Sequence, residues 1–520
     1  MKLAEKDSLL EENNRTSFDG ENCEPIQNNE KTAELEDVLE ESVGRFGWFQ
    51  AWTGLLLFFC QATMAPGVYG AVFTDFTPRH HCAEGDQTFN LTVWNEEEQR
   101  CGEQGECQGW AYDGSVFQST ASSDFNIVCE KDFMKPLAAT LRMFGLLVGS
   151  FFFGWLADVV GRVNSITTAG IILLFSQILN GFSNSYIMFA VLNVSMAAGG
   201  IGTYLVSFVL MFEWSCPQLR TKAGVFAQVP FAVGFLYVVF LSWCLRSSWR
   251  TLQWVMALPN LIFLVFPLLL LESPRWLVSR GRGSVALHNI TKASRLNGRK
   301  VPEGLVLNLK EEKDQGISML ARHPKLRFRL FIMSLNWIVI TLCFYGLSMN
   351  SAGQDLFIGL GSMAGVELVG YFGTMIFMDA CGRQPILSIC QVLAGISCIC
   401  AGFVPVSNFW LRLSLALIGK VGASAGFAVV FVYTAEMFPT PIRNSAVGLC
   451  STVARIGALS APVIAGLDSV WAPLPFLIMG GAATLVGCLS CLLPETRGTQ
   501  LPETIEEAVA LEGGLACCGS

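Results

Sequence analysis

The chain alternates between long apolar blocks and polar connections. Each block has about 20 residues, the length of helix that crosses a bilayer core of about 30 Å. The charged segment 272–329 separates six blocks from six. The blocks lie near residues 48–72, 137–157, 165–185, 188–212, 224–244, 252–271, 330–349, 356–378, 385–404, 409–432, 444–466 and 474–493. The pattern predicts an all-α membrane protein with 12 transmembrane helices in two six-helix repeats.

The same pattern divides the chain into five regions. An acidic N-terminal tail comes first, and a six-helix bundle with a large polar loop after its first helix follows. A charged central loop then leads to a second six-helix bundle and a polar C-terminal tail. The regions are 1–46, 47–271 (with the loop 74–135), 272–329, 330–493 and 494–520.

Composition supports a membrane protein and excludes other classes. Hydrophobic residues make up 52% of the chain and charged residues 15%, against about 25% charged in soluble domains; the mean hydropathy is +0.47. The net charge of −8 arises in residues 1–46, which hold 13 acidic and 5 basic side chains. The remainder is balanced, so no basic surface for nucleic acid is indicated.

The positions of Lys and Arg predict the orientation, because cytoplasmic loops carry an excess of them. The central loop 272–329 contains 13 basic and 5 acidic residues. Short loops expected on the same side also carry basic residues, namely Arg162, Arg220, Lys222, Arg383 and Arg443. Both termini are therefore predicted to be cytoplasmic and the loop 74–135 extracellular, as in a multi-pass protein of the plasma membrane.

Two features of the loop 74–135 agree with an extracellular position. It contains the sequon Asn90-Leu91-Thr92, an acceptor for N-glycosylation. It also holds an even number of cysteines, as expected in an oxidising space: Cys82, Cys101, Cys107 and Cys129. Two disulfides are predicted, and the three possible pairings stay open.

Two charged motifs recur in both halves of the chain. An Asp with an Arg four residues on follows the second and the eighth block, and a Glu with an Arg seven residues on follows the fourth and the tenth. The residues are Asp158, Arg162, Asp379, Arg383, Glu213, Arg220, Glu436 and Arg443. Both motifs are separated from their copies by nearly the same length of sequence. This shared spacing indicates parallel repeats, which are typical of an alternating-access transporter with its site between the halves; the alternative is a duplicated scaffold without transport.

These motifs are predicted to act as gates. Charges at helix ends can pair with each other and with helix dipoles. If they pair across the two bundles, they do so only while the cytoplasmic mouth is closed, and so they bias the equilibrium between inward and outward states. The alternative is that the charges only set the orientation in the membrane.

Charges within the apolar blocks are costly and indicate function. Counting 1.5 Å per residue from the cytoplasmic edge places Glu367 and Arg455 about 18 Å deep, near mid-membrane. The same count places Arg142 and Lys420 about 24 Å deep, where they favour anions in the outer vestibule. Glu367 and Arg455 are predicted either to bind opposite ends of a zwitterion or to pair with each other as a buried gate.

Several segments resemble known transporter motifs. GWLADVVGR, ESPRWL and PETRG are similar to signatures of the major facilitator superfamily. TPRHHC, STASSDFNIVCEK, SSWRTLQ, YTAEMFPTPIRNSAVG and STVARIG resemble the organic cation, carnitine and organic anion transporter family. The resemblance covers nearly the whole chain and implies the major facilitator fold. Departures are Val163-Asn164 in place of basic residues, four loop cysteines where six are common, and Arg142 in place of an apolar residue.

The resemblance also implies a substrate class. The Arg at position 455 resembles the residue found in the carnitine and anion branches of the family. The acid at position 367 resembles the residue found in the cation and carnitine branches. Having both looks most like the carnitine branch. The pair Phe344-Tyr345 resembles aromatic residues that line the cavity in the family, where they attract organic cations. Gln228 is a further candidate contact.

Catalytic chemistry is not indicated. The chain contains no Gly-rich loop ending in Gly-Lys-Ser/Thr, and its four His lack metal-ligand spacing, so neither a cofactor nor an enzyme is predicted. The favoured function is transport of small organic ions, with carnitine-like zwitterions first and broad-range organic anions or cations second. A transport-silent endocytic receptor that uses the loop 74–135 is the alternative from another class. Contact with membrane lipid is expected, while coupling ion and oligomeric state stay open.

Overall fold

The computed structural model describes residues 31–82, 109–216, 223–302, 305–308, 323–350, 355–405, 407–498, 502 and 505–511. Twelve helices form two sets of six, and they are named α1 to α12 in chain order. They are Trp48–Thr74, Met134–Val160, Arg162–Asn180, Tyr186–Trp214, Ala223–Cys244, Trp249–Leu269, Pro324–Asn350, Leu356–Cys381, Arg383–Phe403, Phe409–Met437, Thr440–Ala465 and Leu474–Ser490.

The predicted architecture of 12 transmembrane helices is confirmed. Within the described ranges, eleven helices are long and apolar enough to cross a membrane, and α12 is a shorter apolar helix of 17 residues. The helix α1 is interrupted at Thr63, whose hydroxyl donates to the carbonyl of Cys60. In α6 a tighter turn occupies Leu258–Val265, where Pro259 has no N–H to donate.

Glycines make the tight connections at equivalent positions of the two halves. Gly161 joins α2 to α3 with a φ of 103°, and Gly382 joins α8 to α9 with a φ of 97°. Residues with a Cβ rarely adopt this conformation. Each glycine directly precedes the Arg of the repeated Asp and Arg motif, so the repeat seen in the charged motifs extends to the backbone.

Close helix contacts repeat in the same way. A Cβ added to Gly234 would clash with the carbonyl oxygen of Ala62, where α5 crosses α1. A Cβ added to Gly457 would clash with the carbonyl oxygen of Ile338, where α11 crosses α7. The interval between these glycines equals the interval between the two Glu motifs. Small residues let helices approach closely in a membrane, and here they fix the same crossing in each half.

One end of the molecule, here called the loop face, carries the described parts of residues 75–133. The strands His80–Cys82 and Trp110–Tyr112 pair antiparallel, and short helical turns follow at Ala121–Asp124 and Cys129–Lys131. Cys82 and Cys129 are each part of a disulfide bond. Asn90, Cys101 and Cys107 lie outside the described residues. Another short turn on this face is Gly466–Ser469.

The opposite end, here called the tail face, carries the segments before α1, between α6 and α7, and after α12. The strands Lys31–Glu34 and Leu305–Asn308 pair in parallel. Short helices occupy Leu35–Val38, Leu39–Val43, Pro274–Ser279 and Ile505–Ala510, and a longer one occupies Gly283–Leu296. The segment 35–43 buries Leu35, Val38, Leu39 and Val43 in one apolar cluster with the helix Gly283–Leu296.

Candidate functional site

A buried ion pair lies inside the second half of the molecule. Glu367 of α8 and Lys420 of α10 are both 0% exposed, and Oε1 of the first lies 2.7 Å from Nζ of the second. The ammonium group also donates to the carbonyl of Phe344 at 2.8 Å and to the hydroxyl of Ser348 at 2.9 Å. Nζ sits 3.5 Å from the centre of the Phe344 ring. Lys420 is therefore the counter-charge of the acid at mid-membrane, and the alternative in which Glu367 and Arg455 pair with each other is contradicted.

Arg455 of α11 has a different environment. No carboxylate of the described residues lies within 4.0 Å of its guanidinium, and its buried Nε has no hydrogen-bond partner. Among the described residues, the ionisable groups close enough to feel its charge are the phenols of Tyr204 and Tyr345. Arg455 thus presents a positive charge, uncompensated by an acid, at the depth where the sequence places substrate.

A second unpartnered donor belongs to the same region. The hydroxyl of Tyr204 on α4 donates to Oε1 of Gln228 on α5 at 2.6 Å. Nε2 of Gln228 is buried without a hydrogen-bond partner. Because the charge of Arg455 also influences the phenols of Tyr204 and Tyr345, these four residues belong to one region, here called the central site, to which both halves contribute.

Tyr204 is the residue of the central site that the sequence analysis missed. It lies nine residues before Glu213 on the same helix, which corresponds to a depth of about 14 Å. That count was available from the sequence. Aromatic side chains are common in membrane helices, however, and a neutral phenol carries no signal comparable to a buried charge.

Aromatic rings surround this region. Phe344 lies 5.4 Å from Tyr345, 5.2 Å from Phe427 and 6.0 Å from Phe231 of the first half, measured between ring centres. Tyr69 of α1 stacks on Phe235 at 3.7 Å, and its hydroxyl lies 3.4 Å from that of Ser348. The predicted pair Phe344-Tyr345 therefore sits beside the ion pair and the central site, at the contact between the halves.

Arg142 lies outside the central site. Its guanidinium forms an ion pair of 2.9 Å with Asp75, and the two side chains are 2% and 20% exposed. The contact ties α2 to the loop-face end of α1. Both basic residues expected to attract anions from the outer vestibule, Arg142 and Lys420, therefore have acidic partners.

The first charged motif forms a network at the tail face. Arg162 makes two-pronged contacts of 2.9 to 3.3 Å with Glu213 and a contact of 2.8 Å with Asp158. Glu272 accepts hydrogen bonds from the backbone N–H groups of Arg162, Val163 and Ser273. Burial raises the pKa of the Glu272 carboxyl, and these hydrogen bonds offset part of the effect.

The second motif repeats this network. Arg383 contacts Glu436 at 2.9 to 3.3 Å and Asp379 at 3.4 Å. Glu495 takes the role of Glu272, accepting from the backbone N–H groups of Arg383 and Gln384. Glu272 and Glu495 are separated by the same interval as Glu213 and Glu436; the sequence analysis quoted them within ESPRWL and PETRG but gave them no role.

Both networks close within one half. In this conformation Arg162 binds acids of the first half and Arg383 acids of the second, so pairing across the two bundles in a closed state stays a prediction. Arg443 donates to the carbonyls of Phe438 and Pro502, also in its own half. Arg220 lies outside the described residues.

Contacts between the halves are made by aromatic residues instead. Towards the loop face, the ring of Phe357 on α8 lies 5.9 Å from Phe73 of α1 and 5.8 Å from Phe117 of the loop. The guanidinium of Arg246 sits 5.1 Å from the centre of the same ring. Towards the tail face, Phe208 of α4 lies 5.9 Å from Phe431 of α10, and these two residues occupy equivalent positions of the repeat.

Comparison with known proteins agrees with this architecture. Residues 111–508 match the family described as sugar (and other) transporter. The chain is 32% identical over 423 residues to the organic cation transporter-like protein of Drosophila melanogaster, covering 77% of this chain and 74% of the relative. It is 29% identical over 529 residues to human solute carrier family 22 member 2, covering 91% and 95%.

Solved structures show the same fold. A partially occluded inward-open conformation of the xylose transporter XylE from E. coli aligns with a TM-score of 0.62 at 17% identity, covering 88% of this chain and 100% of that chain. The resemblance to the organic cation transporters that the sequence motifs carry is confirmed. The chain therefore belongs to the sugar (and other) transporter family, as a major facilitator protein related to the organic cation transporters, and it is a membrane transporter rather than an enzyme.

Proposed function

We propose that the protein moves small organic ions bearing a carboxylate across the plasma membrane by alternating access, with carnitine-like zwitterions as the first substrate class. The observation that carries this proposal is Arg455, whose guanidinium has a buried, unpartnered Nε and no acidic partner among the described residues. A cation inside the membrane without a counter-charge is costly. A substrate carboxylate would supply the missing charge, and Nε2 of Gln228 would supply a second donor.

The other end of a zwitterion would lie against aromatic rings. Oε1 of Glu367 lies 2.7 Å from Nζ of Lys420, so a substrate ammonium that reached this acid would have to share it with Lys420. The rings of Phe344, Tyr345 and Phe427 lie close together and beside Phe231. Aromatic faces attract organic cations by about 0.5–2 kcal/mol each. The zwitterion model thus assigns the carboxylate to Arg455 and the ammonium to this aromatic wall.

Organic anions are the second candidate class. The neutralised Glu367–Lys420 pair and the uncompensated Arg455 give this region a net positive charge, which suits a simple carboxylate. A simple organic cation would meet the positive charge of Arg455 in a region whose acid, Glu367, already has Lys420 as its counter-charge, and like charges repel. We therefore rank simple cations last.

The proposed orientation has the tail face in the cytoplasm. The described parts of the central loop 272–329 belong to that face, and the loop contains 13 basic and 5 acidic residues. The disulfide-bonded Cys82 and Cys129 are on the loop face, and disulfides persist in oxidising surroundings. Both observations support an extracellular loop face and cytoplasmic termini.

The test is uptake of labelled carnitine, an aromatic carboxylate and tetraethylammonium by cells that express the chain, with and without sodium. Arg455→Ala should reduce uptake of both carboxylates by a factor of about 10 or more, because a hydrogen bond to a charged group contributes about 1.5–3 kcal/mol. Arg455→Lys should retain part of the uptake, since it keeps the charge but not the two-pronged geometry. Lys131→Ala, exposed on the loop face, is the matched control.

Two outcomes would overturn the proposal. Normal carnitine and carboxylate uptake by Arg455→Ala, at equal surface expression, would remove Arg455 from the substrate site. If the unmodified protein is present at the surface but takes up none of the three substrates, the result would favour a transport-silent receptor that binds its ligand through the loop 74–135.

A further inference from the structure

One segment of the tail face, residues 280–300, has only basic residues among its charged side chains. Residues 280–300 contain no Asp or Glu. They contain six basic side chains, all of them exposed: Arg280, Arg282, Lys292, Arg295, Arg299 and Lys300. Most belong to the helix Gly283–Leu296 or directly follow it. This set of residues is here called the basic surface.

Four of these side chains have no partner among the described residues, and the other two donate to backbone carbonyls. Arg280 donates to the backbone carbonyl of Asp158 and Arg299 to that of Glu41. For Arg282, Lys292, Arg295 and Lys300, no carboxylate of the described residues lies within ion-pair distance. Their charge is therefore available to a ligand.

The basic surface is held in a fixed position. On the other side of the helix, Ala286, Ile290 and Ala293 are 0% exposed and pack in an apolar cluster with the segment 35–43. The hydroxyl of Ser294 donates to the carbonyl of Ser42 at 2.8 Å. Lys292 and Arg295 thus project from a helix whose opposite side is docked through Ala286, Ile290 and Ala293.

The end of this helix lies beside the start of the apolar helix α1. Oδ1 of Asn297 accepts from the backbone N–H of Phe49 at 2.8 Å, and its Nδ2 donates to Oε1 of Gln50 at 2.8 Å. Both partners are in the first turn of α1, where the chain enters the apolar region. Next to them Phe46 is 74% exposed and Trp48 is 75% exposed. Exposed aromatic side chains at this level are typical of the membrane interface.

We infer that the basic surface binds the headgroup of an anionic phospholipid in the leaflet next to the tail face. Basic clusters beside a membrane helix attract anionic lipids, and here the charge, the exposed aromatic residues and the start of α1 coincide. The acidic N-terminal residues 1–30 are a competing occupant. The lipid is favoured because the surface adjoins the bilayer itself. This leaflet is the cytoplasmic one if the proposed orientation holds, and the lipid contact itself does not depend on that orientation.

The test uses the full chain in nanodiscs of phosphatidylcholine alone or mixed with phosphatidylserine. Retained lipid is measured by native mass spectrometry. The unmodified protein should retain phosphatidylserine in preference to phosphatidylcholine, and K292E/R295E should lower that preference by a factor of about 10, because each basic residue contributes separately. Both side chains are exposed, so the variant should fold. Lys131→Glu on the loop face is the matched control and should leave the preference unchanged.

The readout is independent of transport, so failure of the proposed substrate leaves the lipid result standing. Salt provides a second check, since exposed charges are screened over about 10 Å at 0.1 M, and retention should fall as salt is raised. Equal preference in K292E/R295E and the unmodified chain would overturn the inference. Cross-linking of Lys292 to residues 1–30 in phosphatidylserine nanodiscs would also overturn it in favour of the tail.

Discussion

At the residue scale, the ion pair of Glu367 and Lys420 is the most demanding feature of the membrane interior. Two fully buried charges lie 2.7 Å apart, and Lys420 is further held by the carbonyl of Phe344 and the hydroxyl of Ser348. Removing one partner of such a pair leaves the other charge unmatched, whereas replacing both can be nearly neutral.

Lys420→Met should therefore lower the free energy of unfolding by about 3–5 kcal/mol, and adding Glu367→Met should restore most of the loss. The measurement is chemical unfolding of the purified protein in detergent, arranged as a double-mutant cycle. Arg45→Ala provides a control, since Arg45 is 65% exposed in its pair with Glu40 and such surface pairs contribute about 0–1 kcal/mol. Equal losses in the single and double variants would show that the pair does not act as a unit.

Sequence reasoning located these charges but not their partners. Spacing along a helix gives height in the membrane and says little about which neighbouring helix a side chain meets. Glu367 and Lys420 were placed about 6 Å apart in height, a difference that the flexible Lys side chain spans by reaching towards the acid. Arg455 was placed at the height of Glu367, yet the two do not pair.

At the element scale, the helices were predictable because bilayer thickness imposes one length on all of them. The repeat was predictable because charged motifs at helix ends stand out against apolar sequence. The break in α1 and the tight turn in α6 were not predictable, because the sequence on both sides of each is equally apolar and composition does not show where a helix is interrupted. The packing glycines Gly234 and Gly457 carry the same repeat, but the chain has 50 glycines and sequence alone does not distinguish these two.

Two glycines of α11 provide a matched pair of substitutions. A Cβ at Gly457 would clash with the carbonyl of Ile338, while a Cβ at Gly448 would meet no atom within 4 Å. Gly457→Ala should destabilise by about 1–3 kcal/mol through overpacking. Gly448→Ala should be neutral or stabilise by up to about 1 kcal/mol, because Ala favours helix. Thermal unfolding in detergent measures both, and similar effects of the two changes would contradict the packing argument.

At the scale of the whole molecule, the halves are held together towards the loop face by Phe357. Its ring contacts Phe73, Phe117 and Arg246, all in the first half. Phe117 belongs to the loop, which is tied to the bundle where the backbone N–H of Gln118 donates to the carbonyl of Arg246. No helical periodicity marks Phe117, so its part in this contact was not predictable from the sequence.

Phe357→Ala should favour states that are open towards the loop face. Aromatic pairs contribute about 0.5–1.5 kcal/mol beyond burial and an exposed cation–π contact about 0.5–1 kcal/mol, so the population of open states should rise about tenfold. The probe is Val239→Cys, whose position lies 3.6 Å from a Cβ placed on Gly361 across the two halves. Its labelling by a membrane-impermeant maleimide should be faster in the Phe357→Ala background. An unchanged labelling rate would show that Phe357 does not hold the halves together.

The uncompensated charge of Arg455 has an electrical consequence. The membrane potential changes the free energy of any step that moves net charge across the membrane. The change is about 2.3 kcal/mol per elementary charge per 100 mV. Of the charges described in the central region, Glu367 and Lys420 cancel, so the empty protein carries the charge of Arg455 as its halves rock. A simple carboxylate would cancel that charge, and voltage would then act on the return of the empty protein but not on the loaded step. A zwitterion would leave it unchanged, and voltage would act equally on both steps.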